Sequence, residues 1–277
     1  MPELPEVETV RNTLKRNILN KTIKDVSIYY DPIVATNKEN FINFIKNKKI
    51  IDILRVGKWL IFDLEDYYLL SHLRMEGKYF LKEINEVRNK HEHIIFYLND
   101  ITLRYHDTRK FGKMYLIKKD ELYTNSPLKN IGLEPFNNNL TIDYLKKKIL
   151  KNTPIKSLLL DQEIIAGIGN IYADEILFLA GINPFLKGKD LKDKDLELII
   201  KYAKEVLEKA IEMGGTTIRS YTSSLGVTGR FQQELLVHCK EGEKCVNCNN
   251  LIVKTTVQGR GTYYCPNCQK GEDNVVY

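Results

Sequence analysis

Two groups of residues in this chain have the types and spacing that chemistry requires. The first is its start, Met1-Pro2-Glu3-Leu4-Pro5-Glu6-Val7-Glu8-Thr9. Proline is small enough that an initiator methionine ahead of it is normally trimmed, which predicts a mature chain beginning at Pro2 with a secondary amine. An α-amine titrates near ~7.7–8.0, so a useful fraction is neutral at cellular pH, whereas a lysine at ~10.4 needs a large downward shift. A secondary amine that adds to an aldehydic sugar carbon gives an iminium cation, an electron sink for later eliminations. Glu3, its neighbour, is a candidate proton carrier. The plainer reading is that most termini are loose ends, and that Pro5, Glu6 and Glu8 suit the first turn of a helix.

The second group is a pair of C-x-x-C motifs, Cys245/Cys248 and Cys265/Cys268, separated by residues 249–264. This is the spacing of a tetrahedral structural Zn²⁺ site, with rubredoxin-like iron as a minor alternative. A closed four-thiolate site leaves no position for water, so the expected role of one ion is in folding. Cys239 falls outside the pattern, and its default is a small buried or neutral thiol.

Other residues invite a polyanion. Arg260 lies in Gln258-Gly259-Arg260-Gly261, between two short runs that read as strands, and a guanidinium at such a tip can grip a phosphate. Ala166-Gly167-Ile168-Gly169-Asn170 is a glycine turn before a helix, where free N–H groups and the Asn170 amide can meet an anion. Lys156 precedes Leu158-Leu159-Leu160 on a short helix, and its plainer reading is a solvent-facing lysine. The runs Ser71–Gly77 and His106–Gly112 hold His72, Met75, Arg109 and Phe111. Met75 and Phe111 offer apolar bulk and Arg109 offers a hydrogen-bonding guanidinium, groups that can meet stacked bases. Each residue alone also reads as core filler or ordinary surface.

The elements that must position these residues are legible as patterns. Val7, Val10, Leu14 and Ile18 recur at helical spacing behind the terminus. Short strands follow over 23–30, 49–56, 59–64, 67–73, 78–81, 93–98, 101–105 and 113–117. Many short strands after one helix suggest a β-sandwich or a flattened barrel. Residues 124–139 shift to Asn, Pro, Ser and Gly and read as a hinge. Helical spacing returns over 142–150, 155–160, 171–179 and 191–213, ending at Gly214-Gly215. Residues 220–229 read as a mobile loop, and 251–257 with 262–264 as a hairpin.

Composition sets bounds on this picture. The chain has 277 residues, 43% of them hydrophobic and 28% charged, enough for two cored domains. Its net charge of +6 permits nucleic acid as a partner without demanding it. No apolar run approaches the ~18 residues of a membrane span. The acidic N-terminus does not read as a signal peptide, which predicts a reducing cytosol and five cysteines without disulfides.

The opening nine residues resemble the start of the formamidopyrimidine-DNA glycosylase family. So do His72-Leu73-Arg74-Met75-Glu76-Gly77, His106-Asp107-Thr108-Arg109-Lys110-Phe111-Gly112, Lys156-Ser157-Leu158-Leu159-Leu160-Asp161-Gln162, Gly167–Glu175 and the Gly259–Gln269 hairpin. The resemblance runs through the whole chain in family order. It implies an α+β protein: a β-sandwich with a catalytic N-terminal helix (1–133), a helix–two-turn–helix module (134–235) and a zinc-finger hairpin (236–277). It implies a monomeric bacterial cytoplasmic, nucleoid-associated repair enzyme that acts on duplex DNA with oxidised purines. Pro2 would be the Schiff-base nucleophile, Glu3 the proton carrier and Lys58 a helper near the amine. His72, Lys156, Asn170 and Arg260 would hold phosphates. Met75, Arg109 and Phe111 would form the wedge, and Thr217, Ile218, Arg219 and Tyr221 would cover the everted base. The rivals are an endonuclease VIII-like enzyme for oxidised pyrimidines and a zinc-hairpin DNA binder with a blocked terminus. Leu4 and Arg109-Lys110-Phe111 favour the purine branch. Two departures stand out: His238-Cys239-Lys240 replaces an aromatic–glycine–basic run, and Asn249 stands where glycine is frequent.

Overall fold

The computed structural model describes residues 1–216 and 229–270. These fall into two compact units, Met1–Asn130 with Met213–Arg230, and Ile131–Glu212 with Phe231–Tyr277. The first boundary lies inside the stretch expected to be a hinge.

The first unit begins with helix α1 (Leu4–Ile18), whose Val7, Val10, Leu14 and Ile18 are each at most 1% exposed. Full burial of such a side chain stabilises by roughly 1.5–3 kcal/mol, so this stripe holds the helix in place. All eight expected strands are present: β1 (Asp25–Ile28), β2 (Asp52–Val56), β3 (Trp59–Leu64), β4 (Tyr67–His72), β5 (Lys78–Lys82), β6 (Glu92–Tyr97), β7 (Thr102–His106) and β8 (Lys113–Lys118). They pair antiparallel into two four-stranded sheets, ordered β1-β6-β7-β5 and β2-β3-β4-β8. Of the two architectures left open by the strand pattern, the sandwich is the one formed. Leu60, Phe62 and Leu64 of one sheet share a core with Ile94, Phe96 and Leu103 of the other and with the α1 stripe. Alternation sets this up, because residues two apart on a strand point to one face.

Among the described α-helices and strands, one has no counterpart in the sequence reading. Helix α2 (Lys38–Ile45) is capped by Asn37, whose side chain accepts from the Asn40 N–H, and buries Phe41 and Ile45.

The second unit holds helices α3 (Ile142–Ile149), α4 (Ile155–Leu160), α5 (Asn170–Ala180) and α6 (Asp193–Glu212), then the hairpin β9 (Val253–Val257) and β10 (Arg260–Tyr264). Helix α5 is buried from Tyr172 through Phe178, so it forms the axis of the unit, with α4, α6 and β10 against it. It stops at Gly181, whose φ of 68° is the left-handed cap that glycine adopts freely. Among the described residues no helix is long and apolar enough to cross a membrane.

Candidate active site and nucleic-acid interface

In the first unit the terminus is fastened rather than loose. Pro2 is buried and Glu3 is 3% exposed, while Met1, bonded to the Pro2 nitrogen, is 48% exposed. The anchor is Glu6. Its Oε2 accepts the Glu3 N–H at 2.8 Å, and its Oε1 accepts the Thr216 N–H at 2.7 Å and the Thr216 hydroxyl at 3.1 Å. One buried carboxylate therefore ties the residue beside Pro2 to the end of the segment that follows α6. Gly215 makes room for it: a Cβ there would fall 2.6 Å from Glu6 Oε1, and its φ of 78° excludes most side chains. Thr217, Ile218, Arg219 and Tyr221 lie outside the described residues.

Lys58 sits in the tight turn between β2 and β3 and is 4% exposed. A charge network braces that turn. Glu8 Oε1 takes Arg11 Nε at 3.0 Å, Glu8 Oε2 takes Arg55 Nε at 2.7 Å, and Arg55 Nη1 donates to the Gly57 carbonyl at 3.0 Å. Burial raises the Glu8 carboxyl, but the two guanidiniums outweigh it and hold the group below the usual carboxylate range. Helix α1 thus sets both the terminus and the backbone next to Lys58.

His72 ends β4, opposite Trp59, whose ring it meets edge-on with centroids 4.7 Å apart. Burial, then the positive charges of Arg74 and Lys58, push its imidazole down to about 3. Its Nδ1 accepts the Arg74 N–H at 2.9 Å, which leaves the proton of the neutral ring on Nε2. His72 is a neutral N–H donor near neutral pH and not a cation.

The two loops expected to form the wedge share a frame. The Thr108 hydroxyl of one donates to the Glu76 carboxylate of the other. Asp107, fully buried, shapes the second loop: Oδ1 accepts the Arg109 N–H at 3.0 Å and Oδ2 the Gly112 N–H at 2.9 Å. Met75 is 38% and Phe111 53% exposed, and the Arg109 guanidinium lies over the Phe111 ring at 4.9 Å. Large apolar side chains held at the surface by buried supports are available to a partner.

The second unit brings Lys156, Asn170 and Arg260 together, though not as three surface groups. Lys156 is fully buried. Its Nζ donates to the Gly261 carbonyl and to Thr262 Oγ1, both at 2.8 Å, and lies 2.7 Å from Asp174 Oδ1. The contact to Asp174 is one of charge more than of aligned hydrogen bonding. Asn170 Nδ2 donates to the same Gly261 carbonyl at 3.0 Å. Lys156 and Asn170 therefore grip the backbone next to Arg260, and the solvent-facing reading of Lys156 is corrected by its buried partner Asp174. Arg260 itself is exposed, and a Cβ on Gly259 or Gly261 would meet nothing within 4 Å, so the hairpin tip is open.

Asp174 and Glu175 did not emerge as site residues from the sequence. Asp174 Oδ2 also lies 2.7 Å from His238 Nδ1. Glu175 accepts the N–H groups of Leu236, Val237 and His238 at 2.7–3.0 Å. Burial raises the Glu175 carboxyl, and those three N–H groups oppose the rise. The available signal was an acidic pair within a run otherwise apolar on every side, which can only be buried and paired.

The four expected cysteines converge. Their sulfurs all lie within 4.8 Å of one another, with Cys245–Cys268 at 3.7 Å and Cys248–Cys265 at 3.5 Å. A zinc ion with bonds of ~2.3 Å to four tetrahedral sulfurs sets them about 3.8 Å apart, so the cluster fits one such ion. Gln269 braces it, accepting the Cys265 N–H at 2.9 Å and donating to the Ile182 carbonyl at 3.0 Å. Cys239 proves exposed, not buried, with φ 63°, and Asn249 has φ 60°. Both departures from the family pattern thus fall at left-handed positions, which is where glycine is favoured.

Comparison with known proteins is consistent across the chain. Residues 1–114 match the family model described as Formamidopyrimidine-DNA glycosylase N-terminal domain. Residues 131–222 match the Formamidopyrimidine-DNA glycosylase H2TH domain, and 242–271 the zinc finger found in FPG and IleRS. The formamidopyrimidine-DNA glycosylases of Shouchella clausii and Bacillus subtilis are each 45% identical over 273 residues, which is 97% of this chain and 99% of theirs. The Lactococcus lactis Fpg in complex with abasic-site DNA superposes with a TM-score of 0.92 at 42% identity, covering 97% of this chain and 100% of that one. The wild-type Lactococcus lactis protein bound to DNA containing N7-benzyl-Fapy-dG gives a TM-score of 0.92 at 42% identity, over 98% and 100%.

Proposed function

The chain belongs to the formamidopyrimidine-DNA glycosylase family, and from that premise we propose that it is a bifunctional glycosylase and abasic-site lyase for oxidised purines in duplex DNA. It would act in base excision repair, as a monomer in the bacterial cytoplasm on nucleoid DNA, taking 8-oxoguanine and formamidopyrimidines. Relatives bound to abasic and Fapy-containing DNA support the choice of ligand.

Loss of Met1 leaves a secondary amine on Pro2, facing the space that Met1 occupied. That amine attacks the sugar C1′ as the bond to the base breaks, and the base departs with the proton that the attacking nitrogen sheds. Glu3 protonates the ring oxygen as the sugar opens, and the nitrogen lone pair completes the iminium. The iminium withdraws electrons from C2′, whose proton leaves as the 3′ phosphate is expelled. A second elimination expels the 5′ phosphate. Lys58, close enough for its charge to depress His72, adds positive potential where those phosphates lie. Arg260 and Asn170 would hold the backbone beside the lesion, with Lys156 supporting the hairpin that carries Arg260. Met75, Arg109 and Phe111 would fill the vacated stack. Zinc, when bound, supplies cross-linking of the hairpin and no step of the reaction.

The observation that carries this reading is the Glu6 anchor. That buried carboxylate fixes the residue beside Pro2 against a second segment 210 residues away, which gives the terminus the single position a nucleophile requires. Borohydride trapping tests it. The enzyme should be trapped in higher yield on 8-oxoguanine opposite cytosine than on thymine glycol. The reverse order would move it to the pyrimidine branch, and no trapping on either would remove the lyase.

A further inference from the structure

Tyr105, in β7, is fully buried and meets the ring of Tyr79 edge-on with centroids 5.3 Å apart. Its hydroxyl sits between two glycines from different loops. A Cβ on Gly77 would fall 2.3 Å from that oxygen, and one on Gly112 would fall 1.7 Å from it. Neither glycine has a positive φ, so what excludes a side chain is close approach: of Tyr105 alone at Gly112, and of Tyr105 together with the Leu73 carbonyl, 2.6 Å from such a Cβ, at Gly77. Gly77 closes the Met75 loop, its N–H donating to the Leu73 carbonyl at 2.9 Å. Gly112 closes the loop of Arg109 and Phe111 on Asp107 Oδ2, and the Tyr105 hydroxyl lies 3.5 Å from that same oxygen. One core hydroxyl therefore touches the closing residue of both wedge loops and the aspartate that shapes one of them.

We propose that Tyr105 is the positioning residue for the wedge: it fixes the separation between Met75 on one loop and Arg109 with Phe111 on the other. It touches no substrate and acts through the backbone at Gly77 and Gly112. A fully buried ring packed against Tyr79 is a close-packed spacer, and the missing β-carbons let both loops close onto it. The role rests on the reading of the chain as a base-everting glycosylase, because only that activity requires three side chains to enter the stack as a unit.

The test uses the full-length, zinc-loaded protein and two substrates. One is a duplex with 8-oxoguanine opposite cytosine, which must be opened and wedged. The other is a single-stranded oligonucleotide with an abasic site, which has no base to evict and no partner strand. In Tyr105→Phe, release of 8-oxoguanine should fall about tenfold, equivalent to ~1.4 kcal/mol, while single-strand cleavage changes less than about twofold. A 2-aminopurine opposite the lesion should also report a smaller fluorescence change on binding. Equal losses on both substrates, or no loss on the duplex, would overturn the proposal. Gly112→Ala, which drives a methyl into the hydroxyl, should give the same split, so a poorly folded Tyr105→Phe does not shelter the idea. A wild-type protein inactive on both substrates would instead sink the glycosylase reading, which keeps the two failures distinct.

Discussion

Replacing Asp174 with Asn strands a charge, and the structure sets the size of the effect. Lys156 and Asp174 are both fully buried, with Nζ and Oδ1 2.7 Å apart. Removing one partner of a buried ion pair typically costs ~3–5 kcal/mol, because the other charge keeps its desolvation penalty. Lys156 retains the Gly261 carbonyl and Thr262 Oγ1, each at 2.8 Å, and Asn can still accept from His238. Those remaining contacts place Asp174→Asn at the lower end, about 3 kcal/mol. The loss should appear at the hairpin, where Lys156 is bonded. Guanidinium denaturation of the zinc-loaded protein, followed by release of zinc to a chromophoric chelator, reads it directly. Lys156→Met removes the stranded charge, so the double variant should be more stable than Asp174→Asn alone, with a coupling of at least ~2 kcal/mol. A cost under ~0.5 kcal/mol for Asp174→Asn, or strictly additive losses, would refute the view that this pair mounts the Arg260 hairpin.

Three further outcomes follow from single residues. His72 titrates at about 3 in the folded protein against 6.5 when unfolded, so acid favours the unfolded chain between those values; about 1.6 kcal/mol should be lost between pH 6.5 and pH 5. Denaturation of wild type and His72→Asn across that range checks it, and parallel curves would contradict it. Arg260→Ala should weaken binding to lesion-containing duplex by ~1–3 kcal/mol and lower the salt slope by about 1, whereas unchanged affinity would remove Arg260 from the phosphate contact. Cys239→Gly relieves a left-handed φ of 63° and should stabilise the protein by about 1 kcal/mol in thermal melts, with a loss of stability as the contrary result.

The parts of the fold that repeat locally could be read from the chain. The α1 stripe recurs every three or four residues, the eight strands are short apolar-rich runs bounded by turn signals, and the C-x-x-C pairs declare their sulfurs by spacing alone. Helix α2 escaped because it offers just two buried residues, Phe41 and Ile45, one turn apart, too few to establish a period. Side-chain surroundings escaped for another reason. Lys156 looked solvent-facing because its partners come from elsewhere in the chain: Asp174 on another helix, and Gly261, 105 positions away. Likewise Tyr105 reads as an ordinary core aromatic on β7, and only the fold shows its hydroxyl between Gly77 and Gly112. Glu6 passed for a helix-dipole residue, which it is, while its second oxygen serves Thr216.

The most direct measurement locates the covalent bond. Enzyme trapped by borohydride on an 8-oxoguanine duplex can be digested, and the modified peptide sequenced by mass spectrometry. The account predicts one adduct on the nitrogen of Pro2, in a peptide that lacks Met1. An adduct on Lys58, or full trapping by a chain that still carries Met1, would contradict it.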